Sequence, residues 1–194
     1  MKFWTLSFLL ILTFQLSAQT TVQWASRVIN YSTELTGLQN SADQVLEKPN
    51  ILPSGGDNAN AWTAYKNDTP EYIKVGFDLP MPIVQVAIAE SHNPGAISHV
   101  YLYDEKGNEY LVYKKTPGPL REPWRMNNIY MDLTPYNVES IRIVVDGAAV
   151  DGYNAIDAIG MSNSRDPITA EINLMPNINT KLVVTRLNDF VNSE

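Results

Sequence analysis

Short runs of alternating apolar and polar residues fill the chain from Tyr72 onward, and they constrain its fold class more than any other feature. In "EYIKVGF" the side chains of Ile73, Val75 and Phe77 fall on one face, because side chains along a strand alternate with a period of two. The same kind of run recurs in "IVQVAIAE", "SHVYLYDEKGNEYLVY", "NNIYMDL", "ESIRIVVDG" and "NAIDAIGM". No long helical pattern separates these runs, so the sequence predicts an antiparallel β-sandwich and not a parallel βαβ sheet.

The longest of these runs predicts a β-hairpin. Lys-Gly-Asn at 106–108 supplies the turn, and Val100 and Leu102 alternate with tyrosines that would form a half-exposed sheet face. Helical periodicity is confined chiefly to "SADQVLE" at 41–47, where the serine and the glutamine have the spacing of a capping box. We therefore expect one or two short helices.

The beginning of the chain has the pattern of a secretory signal peptide. A basic start at Lys2 leads into an apolar stretch from Phe3 to Phe14, and small residues up to Ala18 provide a cleavage site. A spanning helix needs roughly 20 apolar residues, so we expect no transmembrane segment in the mature chain. The expected divisions are a signal peptide at 1–18, a β-sandwich at 19–164, and a linker or docking tail at 165–194.

Cysteine content and charge narrow the classes of function. The chain contains no cysteine, which excludes disulfides, thiolate metal sites and a lipid anchor on a cysteine after the signal peptide. Its formal net charge is −7, and a negative surface repels the phosphates of nucleic acids and anionic lipid headgroups. We therefore expect a hydrophobic core to supply the stability, and no nucleic-acid partner.

The stretches "KPNILPSGGDNANAW", "IAESHNPGAI" and "AIDAIGM" resemble the N-terminal module of Bacteroidetes OmpA-family envelope proteins. That module is similar to the galactose-binding-like, discoidin-type fold, so the resemblance, over roughly residues 22–164, implies an antiparallel jelly-roll β-sandwich. In the longer proteins of this family a β-propeller and a peptidoglycan-binding domain follow, and "LVVTRLNDFVNSE" resembles the approach to the propeller. Association with peptidoglycan or the outer membrane would then depend on downstream domains.

One position departs from the pattern of that family. Where such modules usually read Leu-Gly-Lys-Pro-Asn, this chain has Leu46-Glu47-Lys48-Pro49-Asn50. Glycine tolerates a positive φ, so a side chain at this position is expected to cost about 1 kcal/mol or to change the local turn.

The glycine-containing loop at 50–62 offers oxygen ligands of the kind that calcium prefers. Asp57 and Asn58 lie in this loop, and the resemblance to galactose-binding-like jelly rolls implies that Asp157 of "AIDAIGM" completes a calcium site. A structural calcium ion is one interpretation, and no other cofactor is expected. The alternative is that Asp57 and Asn58 form an Asx-turn while Asp157 accepts backbone hydrogen bonds.

Two segments carry the residue types that recognise a sugar, namely an aromatic ring that stacks on a pyranose and polar groups that bind its hydroxyls. We expect "AESHNPGA" to present its polar residues at a strand end, and "LREPWRMNN" to present an exposed Trp124 on a long loop. Trp62, in contrast, is expected to anchor the 50–62 loop in the core. Alternatively, the two arginines of "LREPWRMNN" form ion pairs with acidic residues, which outnumber the basic residues in the chain. The predicted ligand-binding residues are Glu90, His92, Asn93, Arg121, Trp124, Arg125 and Asn127.

No arrangement of residues indicates catalysis. Glu90, Ser91 and His92 are adjacent, but neighbours on a strand point in different directions, and no G-x-S-x-G motif accompanies the serine. The two histidines lack the spacing and the further ligand of a zinc site.

We interpret the chain as an exported, non-catalytic binding module of a cell envelope, located in the periplasm, at the periphery of the outer membrane or outside the cell. The expected ligand is a glycan bound by loops at one end of the sandwich. The alternative is a protein-interaction module that docks into an OmpA-family envelope assembly for secretion or motility. Fold alone does not choose between these two functions.

Overall fold

The computed structural model describes residues 21–170, which form two antiparallel β-sheets packed face to face. This confirms the predicted all-β jelly-roll sandwich, whereas the signal-peptide prediction falls on residues outside the described range. Two single-turn 3-10 helices, Ala42–Val45 and Gly147–Ala149, lie within it. The strands are β1 (Val22–Trp24), β2 (Arg27–Tyr31), β3 (Trp62–Thr63), β4 (Pro70–Met81), β5 (Gln85–His92), β6 (Ile97–Asp104), β7 (Glu109–Lys114), β8 (Arg125–Tyr130), β9 (Val138–Asp146) and β10 (Ala155–Ser162).

Each sheet has five strands among the described residues. Sheet I has the order β1-β10-β5-β8, and β3 pairs with the same edge of β10 as β1 does. Sheet II has the order β2-β4-β9-β6-β7. Most consecutive strands belong to different sheets, so the connections between them cross the ends of the sandwich.

The hydrophobic core lies between the two sheets. Ile73, Val75 and Phe77 on β4 are at most 1% exposed, as the period-two pattern predicted. Across the interface, Ile88 of β5 and Ile159 of β10 are fully buried in the same cluster. Complete burial of such side chains stabilises a fold by roughly 1.5–3 kcal/mol each, so this interface holds the two sheets together.

The predicted β6–β7 hairpin is confirmed, and the carboxylate of Asp104 organises its turn. This carboxylate accepts hydrogen bonds from the backbone N–H groups of Lys106 and Asn108, the side-chain amide of Asn108 and the hydroxyl of Tyr110, at 2.8–3.0 Å. The hydrogen bond from the Asn108 side chain is the largest cause that lowers the pKa of Asp104 to about 2.

We expect this hydrogen-bonded carboxylate to make the stability of the fold depend on pH. The pKa of Asp104 is lower in the folded state than its ordinary value of 3.8, so its stabilisation is present above that value and is lost as the pH falls through about 2. In Asp104→Asn, the urea midpoint should therefore fall less steeply between about pH 5 and pH 2 than in the wild type. Parallel pH profiles of the two proteins would contradict this role.

The segment before the 50–62 loop forms the short helix predicted near 41–47, but not with the predicted capping box. The capping box is wrong, because Ser41 makes no side-chain capping hydrogen bond and the carboxylate of Glu34 instead accepts one from Ala42 N at 2.8 Å. Glu47 does occupy the left-handed region, with φ of 67°. The turn typical of glycine is therefore kept despite the side chain, at an expected strain of about 1 kcal/mol.

Residues 165–170 lie against the outer face of sheet I. The Asn128 side chain exchanges two hydrogen bonds with the backbone of Ile168, at 3.0 and 3.3 Å, and Arg165 donates to the carbonyl of Met131 at 2.8 Å. Ala170 packs against the buried cluster of Leu52, Ala89 and Ala158, as Trp24 and Trp124 do. Within residues 21–170 there is no helix of the length and apolarity that crossing a membrane requires.

Candidate functional site

Five connections among the described residues, including the three longest, meet at one end of the sandwich, which we call the loop end. They are 32–61, 64–69, 93–96, 115–124 and 147–154, and each joins strands that finish or begin on this side. The connections at the opposite end of the sandwich are 25–26, 82–84, 105–108 and 131–137, and the longest of them has seven residues. Binding residues often lie on loops that a rigid scaffold positions, so we expect the binding site of this protein at the loop end.

A cavity of about 300 Å³ opens at the loop end, and we call it the Arg121 cavity. The 93–96, 115–124 and 147–154 connections all contribute to its wall. Three of its residues are prolines, whose fixed φ makes the wall rigid before a ligand binds. The lining consists of Asn93, Pro94, Pro119, Leu120, Arg121, Glu122, Pro123, Ala149, Val150 and Asp151.

Arg121 and Asn93 are the two sequence-predicted residues that line this cavity. Arg121 is exposed and has no ion-pair partner among residues 21–170, so its guanidinium N–H groups are available to a ligand. Asn93 has φ of 45° and donates from its side-chain amide to the carbonyls of Asp151 and Tyr153 at 3.3 and 2.9 Å. Asn93 therefore ties the 93–96 turn to the 147–154 loop, and this contact shapes the cavity.

Buried Glu90 and half-buried Arg125 form an ion pair and do not line the Arg121 cavity. They face each other across β5 and β8, where the Arg125 guanidinium donates to one carboxylate oxygen of Glu90. The other oxygen accepts from Gly95 N at 2.8 Å, and the Glu90 side chain is 4% exposed. This matches the alternative that an arginine pairs with an acid. The pair therefore holds the turn next to the site.

The expected exposure of Trp124 is wrong, because this side chain is half-buried on the outer face of sheet I. It packs with the cluster of Leu52, Ala89 and Ala158. It also lies against Gly55, where a Cβ atom would come within 2.1 Å of the ring. Trp124 precedes Arg125, the first residue of β8, and successive side chains on a strand point to opposite faces. The two residues therefore do not share a cavity.

The two remaining predicted residues also lie outside the lining of the Arg121 cavity. His92 is half-buried at the last position of β5, opposite Ala155. Asn127 lies within β8 and not on the loop predicted for it, opposite Ile88, and its buried amide nitrogen has no hydrogen-bond partner. Within the described residues, the structure thus brings two of the seven predicted residues together in this cavity.

Two exposed tyrosines at the loop end were missed by the sequence analysis. Tyr153 is 45% exposed on the 147–154 loop, and Tyr65 is 61% exposed on the 64–69 loop. Neither follows from strand periodicity, since both lie in connections. The sequence signal was the position of Tyr153 immediately after Asp151-Gly152, a pair of turn-forming residues that places the next side chain on a loop.

Asp157 anchors the 50–62 loop to β10. It is fully buried at a bulge in β10, and its carboxylate accepts backbone hydrogen bonds from Asn50, Ile51 and Leu52 at 3.1, 3.0 and 3.2 Å. These contacts match the alternative interpretation of the sequence, in which Asp157 accepts backbone hydrogen bonds and does not complete a calcium site. Three N–H donors place positive partial charge around the carboxylate, which disfavours a cation beside it.

The other residues proposed for calcium are exposed. Asn58 accepts a hydrogen bond from Asn60 N at 3.0 Å in an Asx-turn, and Asp57 lies beside it on the surface. No group of three or more histidine and acidic side chains within residues 21–170 is arranged to hold a metal. Calcium binding at this loop stays a prediction that the observed hydrogen bonds do not favour.

Trp62 closes the 50–62 loop from the core side, as predicted. It is 1% exposed, belongs to the main hydrophobic cluster, and donates from its indole N–H to the carbonyl of Thr33 at 3.0 Å. A fully buried ring is not available for stacking on a sugar, so any aromatic platform at the loop end must come from another residue.

The sequence matches no protein-family model and no curated protein, whereas the structure is similar to solved structures. One is the family 32 carbohydrate-binding module of C. perfringens NanJ in complex with galactose, with 19% identity and a TM-score of 0.52 over 74% of this chain and 93% of that chain. Another is the family 32 carbohydrate-binding module from Streptococcus pneumoniae EndoD, with 14% identity and a TM-score of 0.53 over 73% and 99%.

A third similar structure is XRCC1 bound to the DNA pol beta catalytic domain. It shares 13% identity and a TM-score of 0.55 over 75% of this chain and 99% of that chain. At these identities the comparison establishes the galactose-binding-like fold. It does not decide the ligand, because one fold carries sugar recognition in some proteins and protein recognition in another.

Proposed function

We propose that this protein is a non-catalytic glycan-binding module whose site is the Arg121 cavity. The observation that carries the proposal is an open cavity of about 300 Å³ at the loop end, walled by prolines and lined by an arginine that has no ion-pair partner among the described residues. Within this small rigid cavity Arg121 can donate to sugar hydroxyls, and the carboxylates of Glu122 and Asp151 can accept from them.

The similarity in fold to carbohydrate-binding modules supports the same proposal. We further propose that the protein is exported and serves an OmpA-type cell envelope, as the resemblance of "KPNILPSGGDNANAW" and "AIDAIGM" implies. In that setting it would bind glycan at the periphery of the outer membrane or outside the cell.

The test is a glycan array followed by calorimetric titration of the strongest ligand, with Arg121→Ala as the variant. Loss of hydrogen bonds from a charged donor costs about 1.5–3 kcal/mol, so affinity should fall by about 10-fold or more. Arg165→Ala is the matched control, because Arg165 is also exposed but lies at the end of the sandwich opposite to the loop end. There its side chain contacts Met131 and Asp132.

Two results would contradict this proposal. A blank array combined with specific recovery of envelope proteins in a pull-down would favour a protein-interaction module instead. An unchanged affinity in Arg121→Ala would place the glycan site elsewhere on the sandwich.

A further inference from the structure

The 147–154 loop is a wall shared by two hollows at the loop end. Asp151 lines the Arg121 cavity on one side. Tyr153 and Asn154 line a second hollow on the other side, together with Trp62, Lys66, Asn67 and Glu71. Residues 151 and 153 are at most about 7 Å apart along the chain, since each residue spans at most about 3.6 Å. A sugar unit linked to one that fills the first cavity is therefore within reach of Tyr153.

The second hollow, which we call the Glu71 hollow, is small and contains a buried acid. Its volume is about 10 Å³, which is room for one water molecule or one hydroxyl group. Glu71 is 4% exposed, and its Oε2 atom accepts from the hydroxyls of Ser32 and Thr33. Its Oε1 atom accepts from Thr69 Oγ1 at 3.3 Å. A carboxylate oxygen has two acceptor sites, so Oε1 retains capacity for a donor entering the hollow.

Tyr153 provides the aromatic surface that the Arg121 cavity lacks. Tyr153 is 45% exposed and lines the hollow, and its carbonyl accepts a hydrogen bond from the Asn93 side chain at 2.9 Å. The backbone beneath the ring is therefore held by a residue of the first cavity. An exposed aromatic ring on a fixed backbone can stack on the apolar face of a pyranose.

We infer that the ligand is an oligosaccharide of at least two sugar units, an inference that rests on the proposed function. One unit occupies the Arg121 cavity, and the next stacks on Tyr153 and directs one hydroxyl group into the Glu71 hollow. Tyr153 is then a specificity-determining residue that selects for chain length, whereas Arg121 contributes to the binding of every sugar.

The test compares monosaccharides with disaccharides by isothermal titration calorimetry of the wild-type protein and Tyr153→Ala. The probes are galactose, glucose and N-acetylglucosamine, with lactose, N,N′-diacetylchitobiose and GlcNAc-α-1,4-galactose as disaccharides. At least one disaccharide should bind about 10-fold more tightly than either of its component sugars. Tyr153→Ala should lower that affinity about 10-fold, to the monosaccharide level, because it removes the stacking surface, and it should leave monosaccharide binding unchanged.

Tyr130→Ala is the matched control, because Tyr130 is 42% exposed but lies at the far end of β8. It should change neither affinity. Equal affinities for disaccharides and their component sugars, or an equal loss of both in Tyr153→Ala, would overturn the two-unit site while leaving the Arg121 cavity intact. Absence of binding by every probe and by the glycan array would overturn the proposed function itself, and the two-unit site with it.

Discussion

Replacing Asp157 with alanine is expected to destabilise the folded domain by about 3–5 kcal/mol, which is a large fraction of the 5–15 kcal/mol typical of a domain. The carboxylate of this fully buried residue accepts three backbone hydrogen bonds from residues 50–52. Removing it leaves three N–H groups without their acceptor, and each buried group left unsatisfied costs about 1–3 kcal/mol. Water that enters the space left by the carboxylate should bind some of these N–H groups, so the total destabilisation should be smaller than the sum of the three costs.

The measurement is equilibrium unfolding in urea, followed by tryptophan fluorescence and by circular dichroism. Asp132→Ala is a suitable control, because the Asp132 side chain is fully exposed and its contact with Arg165 is 3.4 Å long. Such a surface change should alter the free energy of unfolding by at most about 0.5 kcal/mol. Equal effects of the two substitutions would show that the backbone contacts of Asp157 do not hold the 50–62 loop.

Strand periodicity predicted the sandwich and its core because both depend on local alternation. Ile73, Val75 and Phe77 alternate with half-buried Tyr72 and Lys74, so their assignment to the core needed no knowledge of the rest of the fold. The β6–β7 hairpin was predicted for the same reason, since its turn residues and both strands are contiguous.

The candidate site was predicted less completely because it depends on contacts between distant segments. Asp157 meets its partners more than 100 positions away in the chain, so the sequence left its two roles open. Trp124 was assigned to an exposed loop because its polar neighbours gave no sign that Gly55 would leave room for the ring. Tyr153 was not predicted because a tyrosine in a loop belongs to no periodic pattern of apolar residues. The role that we propose for it depends on the two cavities that the 147–154 loop separates.

Replacing Glu90 with alanine is expected to destabilise the domain by about 3 kcal/mol, at the low end of the range for breaking a buried ion pair, because water can reach the partly exposed Arg125. The substitution leaves the Arg125 guanidinium, with a side chain 24% exposed, without its carboxylate, and it leaves Gly95 N without its acceptor. Glu139→Ala is the matched control, because its ion pair with Arg27 is exposed and should contribute at most about 1 kcal/mol. Urea unfolding of both variants measures the difference.

The same substitution should also weaken glycan binding, although Glu90 does not line the cavity. Glu90 fixes Gly95, and the carbonyl of Gly95 accepts a hydrogen bond from Gly118 N at 3.1 Å. The pair therefore connects β5 to the 115–124 loop that carries Arg121. In Glu90→Gln, an amide oxygen can still accept from Gly95 while the charge is lost, so binding should be reduced less than in Glu90→Ala. If Glu90→Ala folded stably and bound glycan with unchanged affinity, the buried pair would have no part in positioning Arg121.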